Sequence, residues 1–210
     1  MNTMPFWSGD GGSLYYYQMR PAFSLRRLGA DGGNDAEVAP FRWETHQAAR
    51  IDPQNKTMAY LRQSIPGVKD AVMLRDLDTG TESVFAEGDA HFHRPAWSRD
   101  GSRLLGWRHD GQLVVCVVAN RQCAAIAKVA SDHSTAWSDD DRTIYFLRPT
   151  GPGPMRELWS VTPDGRDERK VADIGPFFAV DVHFDVLGHD KVVWVQYREG
   201  RHELWRADMR

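Results

Sequence analysis

The sequence lacks the features that mark membrane-spanning, exported or nucleic-acid-binding proteins. Its longest apolar run, residues 113–119, is about seven residues long, far short of the roughly 20 that span a bilayer. The first residues (MNTMPF) contain neither the basic segment nor the apolar segment of a secretory signal. The formal net charge of −3 provides no positive field for nucleic acid. We therefore predict no transmembrane segment and no nucleic-acid partner. The chain is then cytoplasmic, or it is part of a longer exported, periplasmic protein.

The common catalytic signatures are also absent. The sequence contains no Gly-x-Ser-x-Gly elbow, which would position a hydrolase nucleophile. It contains no phosphate loop, no dinucleotide fingerprint and no His-Glu-x-x-His zinc helix. We therefore predict no catalytic residue in this chain and no required cofactor.

The sequence has only two cysteines, Cys116 and Cys123. Both lie in a predicted hairpin, and a turn centred between Ala119 and Asn120 places them opposite each other at a separation that a disulfide can bridge. A disulfide would indicate an oxidising compartment. The alternative is a pair of half-buried thiols in a reduced protein, and the sequence leaves both open.

Aromatic residues, by contrast, are plentiful, with eight Trp, nine Phe and six Tyr. Hydrophobic residues make up 41% and charged residues 26% of the 210 positions, which is typical of a chain with a sizeable core. Large rings at regular intervals suit packing between β-sheets. One all-β domain fits this length and composition.

An internal repeat is the strongest signal. Residues 95–107 (PAWSRDGSRLLGW) are echoed by residues 135–146 (TAWSDDDRTIYF), so that Trp137 follows Trp97 by 40 residues. An earlier copy contains Trp7, and degenerate copies have Ile51 and Phe184 in the Trp place. In each copy an Asp- and Gly-rich turn joins two short apolar strands, because these residues tolerate the positive φ of hairpin loops. Two further strands complete a unit of about 40–45 residues, which is the period of a β-propeller blade.

The fold class predicted is therefore an all-β propeller of four-stranded antiparallel blades. We predict one propeller region over residues 1–210, with repeats at about 1–41, 42–89, 90–130, 131–174 and 175–210. The fifth copy stops after its third strand. Five blades could close as a small ring, or the chain could be an arc or part of a larger propeller. An open arc leaves apolar blade faces uncovered, so this second alternative predicts a missing partner segment.

The Trp-Ser-x-Asp-Gly turn and the later Leu-Trp strand resemble the repeats of the TolB-type, WD-like propeller superfamily. The resemblance implies a non-catalytic scaffold that binds a protein or a small ligand. Related propellers also form the gating domain of prolyl oligopeptidase-type peptidases, here without the hydrolase domain. In addition, His91-Phe92-His93 resembles a stretch of metal-dependent oligogalacturonate lyases, with an offset to the following Pro that differs by one residue. Both enzyme alternatives stay open.

Histidines recur at one position of the repeat. His93 and His133 each lie four residues before the repeat Trp, at the start of an inner strand. Gln47 takes the corresponding place in the second copy, Asp181 lies near it in the fifth, and His91 is adjacent in the third. Because equivalent positions of the blades meet around the axis, we predict that these five residues line one mouth of the channel as a ligand-binding site. Imidazole and carboxylate there would suit a divalent metal. The alternative is that they are rim residues that hydrogen-bond to neighbouring blades.

Overall fold

The computed structural model describes residues 2–18, 24–40, 47–63, 66–90, 92–129, 135–151, 155–174, 184–187, 190–198 and 201–209. Within these ranges the chain forms nineteen β-strands, one short 3₁₀ turn at Gly88–Ala90 and no α-helix. No helix in the described part is long and apolar enough to cross a membrane. The all-β prediction is confirmed.

The strands form five antiparallel sheets, in which strands adjacent in sequence are also adjacent in the sheet. The first comprises β1 (Asn2–Trp7), β2 (Ser13–Gln18), β3 (Ser24–Gly29) and β4 (Ala36–Pro40). The second comprises β5 (Gln47–Ile51), β6 (Thr57–Arg62), β7 (Ala71–Asp76) and β8 (Glu82–Glu87). The third comprises β9 (His93–Trp97), β10 (Arg103–Trp107), β11 (Gln112–Val117) and β12 (Gln122–Lys128). The fourth comprises β13 (Thr135–Trp137), β14 (Ile144–Pro149), β15 (Arg156–Val161) and β16 (Arg169–Ile174). The fifth has three described strands, β17 (Phe184–Leu187), β18 (Lys191–Arg198) and β19 (Arg201–Asp208).

This strand order is that of propeller blades, and the predicted fold class is confirmed. We number the blades one to five in chain order. The chain divides into two compact units, Met1–Ser102 and Arg103–Arg210, and each has a hydrophobic core of its own.

The turn between the first two strands of a blade explains the repeat motif. The Ser98 hydroxyl donates a hydrogen bond to Asp100 at 2.7 Å, and Ser138 donates to Asp140 over the same distance. Gly101 follows with a φ of 72°, a left-handed conformation that glycine adopts without strain. The motif residues are therefore turn residues, which specify the fold rather than an activity.

Strand register corrects one assignment in the fifth copy. In blade four, Trp137 pairs with Ile144. Phe146, two residues further along the same strand, pairs with Trp159. In blade five, Trp194 pairs with Trp205, so Val192, two residues earlier, corresponds to Ile144. Its partner is Val186. The prediction that Phe184 takes the Trp place is therefore wrong, because the turn of the fifth copy is one residue shorter than the others.

Successive blades pack face to face within each unit. We call the face that packs on the next blade the forward face and the opposite one the rear face. In the first unit, Tyr17 and Leu25 on the forward face of blade one share a core with Met58 and Tyr60 on the rear face of blade two. The Tyr17 hydroxyl donates to the carbonyl oxygen of Ala49 at 3.1 Å. Burial raises the pKa of Tyr17 to about 12, so this hydroxyl keeps its proton.

The core of the second unit repeats this arrangement. Leu147 and Leu158 lie on the forward face of blade four. They share a core with three residues on the rear face of blade five, Val186, Val192 and Trp194. The two cores thus show the same rule, in which an aliphatic or aromatic forward face is covered by the rear face of the following blade.

The two cysteines form a disulfide. Cys116 in β11 is paired directly with Cys123 in β12, and their Cα atoms are 4.0 Å apart. The turn begins after Val117, whose carbonyl oxygen accepts a hydrogen bond from the amide of Arg121 at 2.9 Å. It is therefore centred between residues 119 and 120, as the disulfide alternative requires.

Candidate functional site

The predicted channel mouth is only partly described. Gln47 begins β5 and His93 begins β9, and these two strands lie side by side in the first unit. The side chain of His93 is half-buried. The side chain of Gln47 and all of His91, His133 and Asp181 lie outside the described residues. The ligand-binding mouth therefore stays a prediction. The structure shows only that the strands of Gln47 and His93 are neighbours.

The described residues also bear on metal binding. Among them, no group of three or more His, Cys, Asp or Glu side chains is arranged to hold an ion. Three of the five predicted mouth residues fall outside that part of the chain, so the metal at the mouth stays a prediction.

A cleft of about 950 Å³ opens in the second unit. Its floor includes Val115 and Val117 of β11 and Cys123 of the disulfide. The turns of blade four form its other side and contribute both charge signs. The remaining lining residues are Arg103, Gln122, Ala124, Asp141, Arg142, Thr162, Pro163 and Asp164.

The cleft has polar groups, and its lining residues include no serine–histidine pair. Hydrogen bonds from Arg166 and Thr162 hold the pKa of Asp164 well below its usual range, so this carboxylate is ionised at neutral pH. The lining residues include neither histidine nor serine, and hence no hydroxyl nucleophile beside an imidazole base. The repeat pattern gave no sign of the cleft, because its lining comes from turns and from the outer half of a blade.

The forward face of blade five is the most exposed apolar surface among the described residues. Leu204 is 77% exposed and the neighbouring Val195, which pairs with it across β18 and β19, is 40% exposed. Leu187 on the same face is also exposed, whereas the exposed Trp205 pairs with Trp194 and lies on the rear face. Exposed apolar groups that lie together, rather than singly, indicate an interaction surface.

Register identifies the counterparts of Leu204 in the other four blades. In every blade the residue at this position pairs with a residue near the end of the second strand; these partners are Tyr17, Leu61, Trp107, Leu147 and Val195. All four counterparts are almost completely buried, with exposures of 1% or less, and they are Leu25, Val72, Leu113 and Leu158. The fifth blade therefore carries an apolar residue at the same position without the cover that the other four have.

Comparison with known proteins identifies the fold of the chain. No family model matches the chain, and no curated protein matches its sequence. Solved structures match over almost its whole length. TolB from Acinetobacter baumannii has a TM-score of 0.76 at 16% identity, covering 99% of this chain and 52% of that one.

Two further structures are similar. A candidate TolB from Agrobacterium tumefaciens has a TM-score of 0.71 at 20% identity, covering 99% of this chain and 77% of that one. An oligogalacturonate lyase solved in complex with manganese has a TM-score of 0.70 at 14% identity, covering 96% of this chain and 60% of that one.

The chain spans less than two thirds of the A. baumannii TolB and of the lyase. At such low identity these likenesses establish the architecture and leave activity and ligands open. The blade order, the repeat turn and these neighbours agree on one conclusion: the chain has the fold of the TolB-like β-propellers.

Proposed function

We propose that this chain is a non-catalytic β-propeller scaffold that binds a polypeptide through the forward face of blade five. The observation that carries the proposal is the exposure of Leu204, 77%, at a position that is buried in the four other blades. An apolar side chain of this size gains roughly 1.5–3 kcal/mol when it is fully buried, so a partner that covers it is favoured.

The chemistry of the face fits a polypeptide better than a small molecule. Leu204 and Val195 lie on an open sheet face, whereas small-molecule sites are concave and enclose most of the ligand. An open apolar face of this kind is typical of contacts between proteins.

We further propose a periplasmic or other oxidising location. The disulfide between Cys116 and Cys123 supports it, since disulfides persist in oxidising compartments and are rare in the cytosol. Isolation of the protein under thiol-blocking conditions would test this proposal. Two free thiols in the native protein would contradict it.

A second candidate is ligand or metal binding at the channel mouth. The adjacency of β5 and β9 supports it, because it brings the strands of Gln47 and His93 together. Metal analysis of the purified protein and of a His93→Ala/His133→Ala variant tests it. Absence of bound metal, with unchanged ligand binding in the variant, would exclude this site. The peptidase gating domain and the lyase remain alternatives, and the gene sequence flanking the chain would decide the first.

Site-specific photo-crosslinking tests the polypeptide-binding proposal. A photoreactive residue is placed at position 204, and a matched one at Val68, which is 43% exposed in the loop between β6 and β7. Each protein is irradiated in an extract of its source cells, and the joined peptides are identified by mass spectrometry. We expect one defined peptide at position 204 and none at position 68. Absence of a specific adduct at 204 contradicts the proposed function.

A further inference from the structure

Blade one has an uncovered face of its own. Trp7, at the repeat Trp position, is 58% exposed, and Leu14 and Tyr16 on the same rear face are only half-buried. The counterparts of Leu14 in the other four blades are buried to 1% or less, and they are Met58, Leu104, Ile144 and Val192. The rear face of blade one is thus exposed at positions where every later blade is covered.

The chain itself shows what covers a forward face. The forward face of blade four, with Leu158, shares a core with Val186, Val192 and Trp194 on the rear face of blade five. Trp7 and Leu14 pair with each other as Val186 and Val192 do. In register, therefore, Trp7, Leu14 and Tyr16 are the counterparts of the three residues that cover Leu158.

We propose that the forward face of blade five binds the rear face of blade one in a second copy of this chain. Each face is then covered as its counterparts are covered within the two units, with Trp7 of one copy against Leu204 of the other. The contact continues a type of interface that the chain already uses twice. This inference rests on the proposed function and names the partner of the same surface.

Three polar groups of blade one that lie near this face are paired with one another. The Tyr16 hydroxyl donates to Asp35 at 2.8 Å, and Arg26 forms an ion pair with the same carboxylate at 2.9 Å. These groups satisfy one another within blade one. Covering this cluster therefore leaves none of its three groups as an uncompensated charge, which is the costly case.

The interface joins two different faces, so it is heterologous, and each copy contributes one face of each kind. Replacing one face should leave the other intact. A Leu204→Asp variant keeps a working blade-one face, and a Trp7→Asp variant keeps a working blade-five face. Neither should associate with itself, but the two should associate with each other.

Light scattering coupled to size-exclusion chromatography tests the proposal over a range of concentrations. We expect the wild-type protein and a Val68→Asp control to associate, and each of the two face variants to associate at least about 100-fold more weakly. A 1:1 mixture of the two face variants should form a species of two chains. Circular dichroism verifies the fold, and Leu204→Ala and Trp7→Ala serve if an aspartate prevents folding.

A wild-type protein that stays monomeric, or two face variants that do not combine, overturns the second-copy proposal. The photo-crosslink at position 204 distinguishes a failure of the second-copy proposal from a failure of the polypeptide-binding proposal. A peptide from the rear face of blade one supports both proposals. A peptide from another protein supports polypeptide binding and excludes the second copy.

Discussion

The fourth and fifth blades contain the same strand sequence in opposite surroundings. Glu157-Leu158-Trp159 in β15 and Glu203-Leu204-Trp205 in β19 have the same register to the preceding strand. Leu158 is completely buried and Leu204 is 77% exposed. An identical tripeptide with identical pairing thus has a core residue in one blade and a surface residue in the other. Local sequence decides which face a side chain points to, and the neighbouring sheet decides whether that face is covered.

The fourth strand adds a second difference. In blade four, Lys170 of β16 donates to the carboxylate of Glu157 at 2.8 Å, and the same carboxylate accepts a bond from the indole of Trp159 at 2.9 Å. In blade five the indole of Trp205 still donates to Glu203, at 3.2 Å, but the described sheet ends at β19. The local contact recurs, and among the described strands the contact with a fourth strand is seen in blade four.

The largest expected difference concerns the two leucines. Leu158→Ala should lower the free energy of unfolding by about 2–5 kcal/mol, because it leaves a cavity in a packed core. Leu204→Ala should change it by less than about 0.5 kcal/mol in the dilute monomer, since an exposed side chain has little to lose. Urea unfolding followed by fluorescence measures both. Equal losses would show that the two positions have the same surroundings.

The disulfide should have the next largest effect. It closes a short loop between β11 and β12, so removing it with Cys116→Ser/Cys123→Ser should lower the free energy of unfolding by about 2 kcal/mol. The loss should appear as faster hydrogen exchange in β12, with β19 unchanged. Equally faster hydrogen exchange in β19 would contradict the expectation that the disulfide stabilises β12 and not β19.

Arg148 stabilises blade four through contacts of its guanidinium. Its guanidinium lies 4.4 Å from the ring centre of Trp159 and donates to the carbonyl oxygen of Lys128 at 2.8 Å. We expect Arg148→Ala to cost about 1–2 kcal/mol. Thermal unfolding of the wild-type protein and of the variant measures this. A neutral Arg148→Ala would show that these contacts add no net stability.

The smallest effect is a pH dependence at Glu157. Hydrogen bonds from Lys170 and Trp159 hold the pKa of Glu157 below its ordinary value of 4.5. Its contribution to stability is therefore complete above pH 4.5 and is lost as the pH falls through the lowered value. Lys170→Met should raise this pKa towards 4.5. An NMR titration of the carboxyl carbon would detect it, and an unchanged midpoint would show that Lys170 has no part in the shift.

The sequence was sufficient for the strands, because period-two patterns and Asp-Gly turns are local signals. The Ser-x-Asp turn at Ser98 follows from residues a few positions apart. The predicted hairpin offered Cys116 opposite Cys123 as one of two alternatives, and the structure decides for it. The prediction that Phe184 takes the Trp place was wrong because the spacing between repeats does not show that the turn of the fifth copy is one residue shorter. The open-arc alternative predicted an uncovered blade face but not that Leu204 lies on it, since its sequence is that of buried Leu158 and only the packing of whole blades distinguishes them. The cleft beside Cys123 could not be predicted either, because residues from two different blades line it.

Thiol accessibility tests the difference between the two blades most directly. Leu204→Cys and Leu158→Cys are each introduced singly, and the rate of maleimide modification is measured at concentrations low enough to separate the copies. The native cysteines are joined in the disulfide and do not react. We expect Leu204→Cys to react at nearly the rate of a free thiol, and Leu158→Cys to react only through unfolding. Equal protection of the two thiols would contradict an uncovered forward face on blade five.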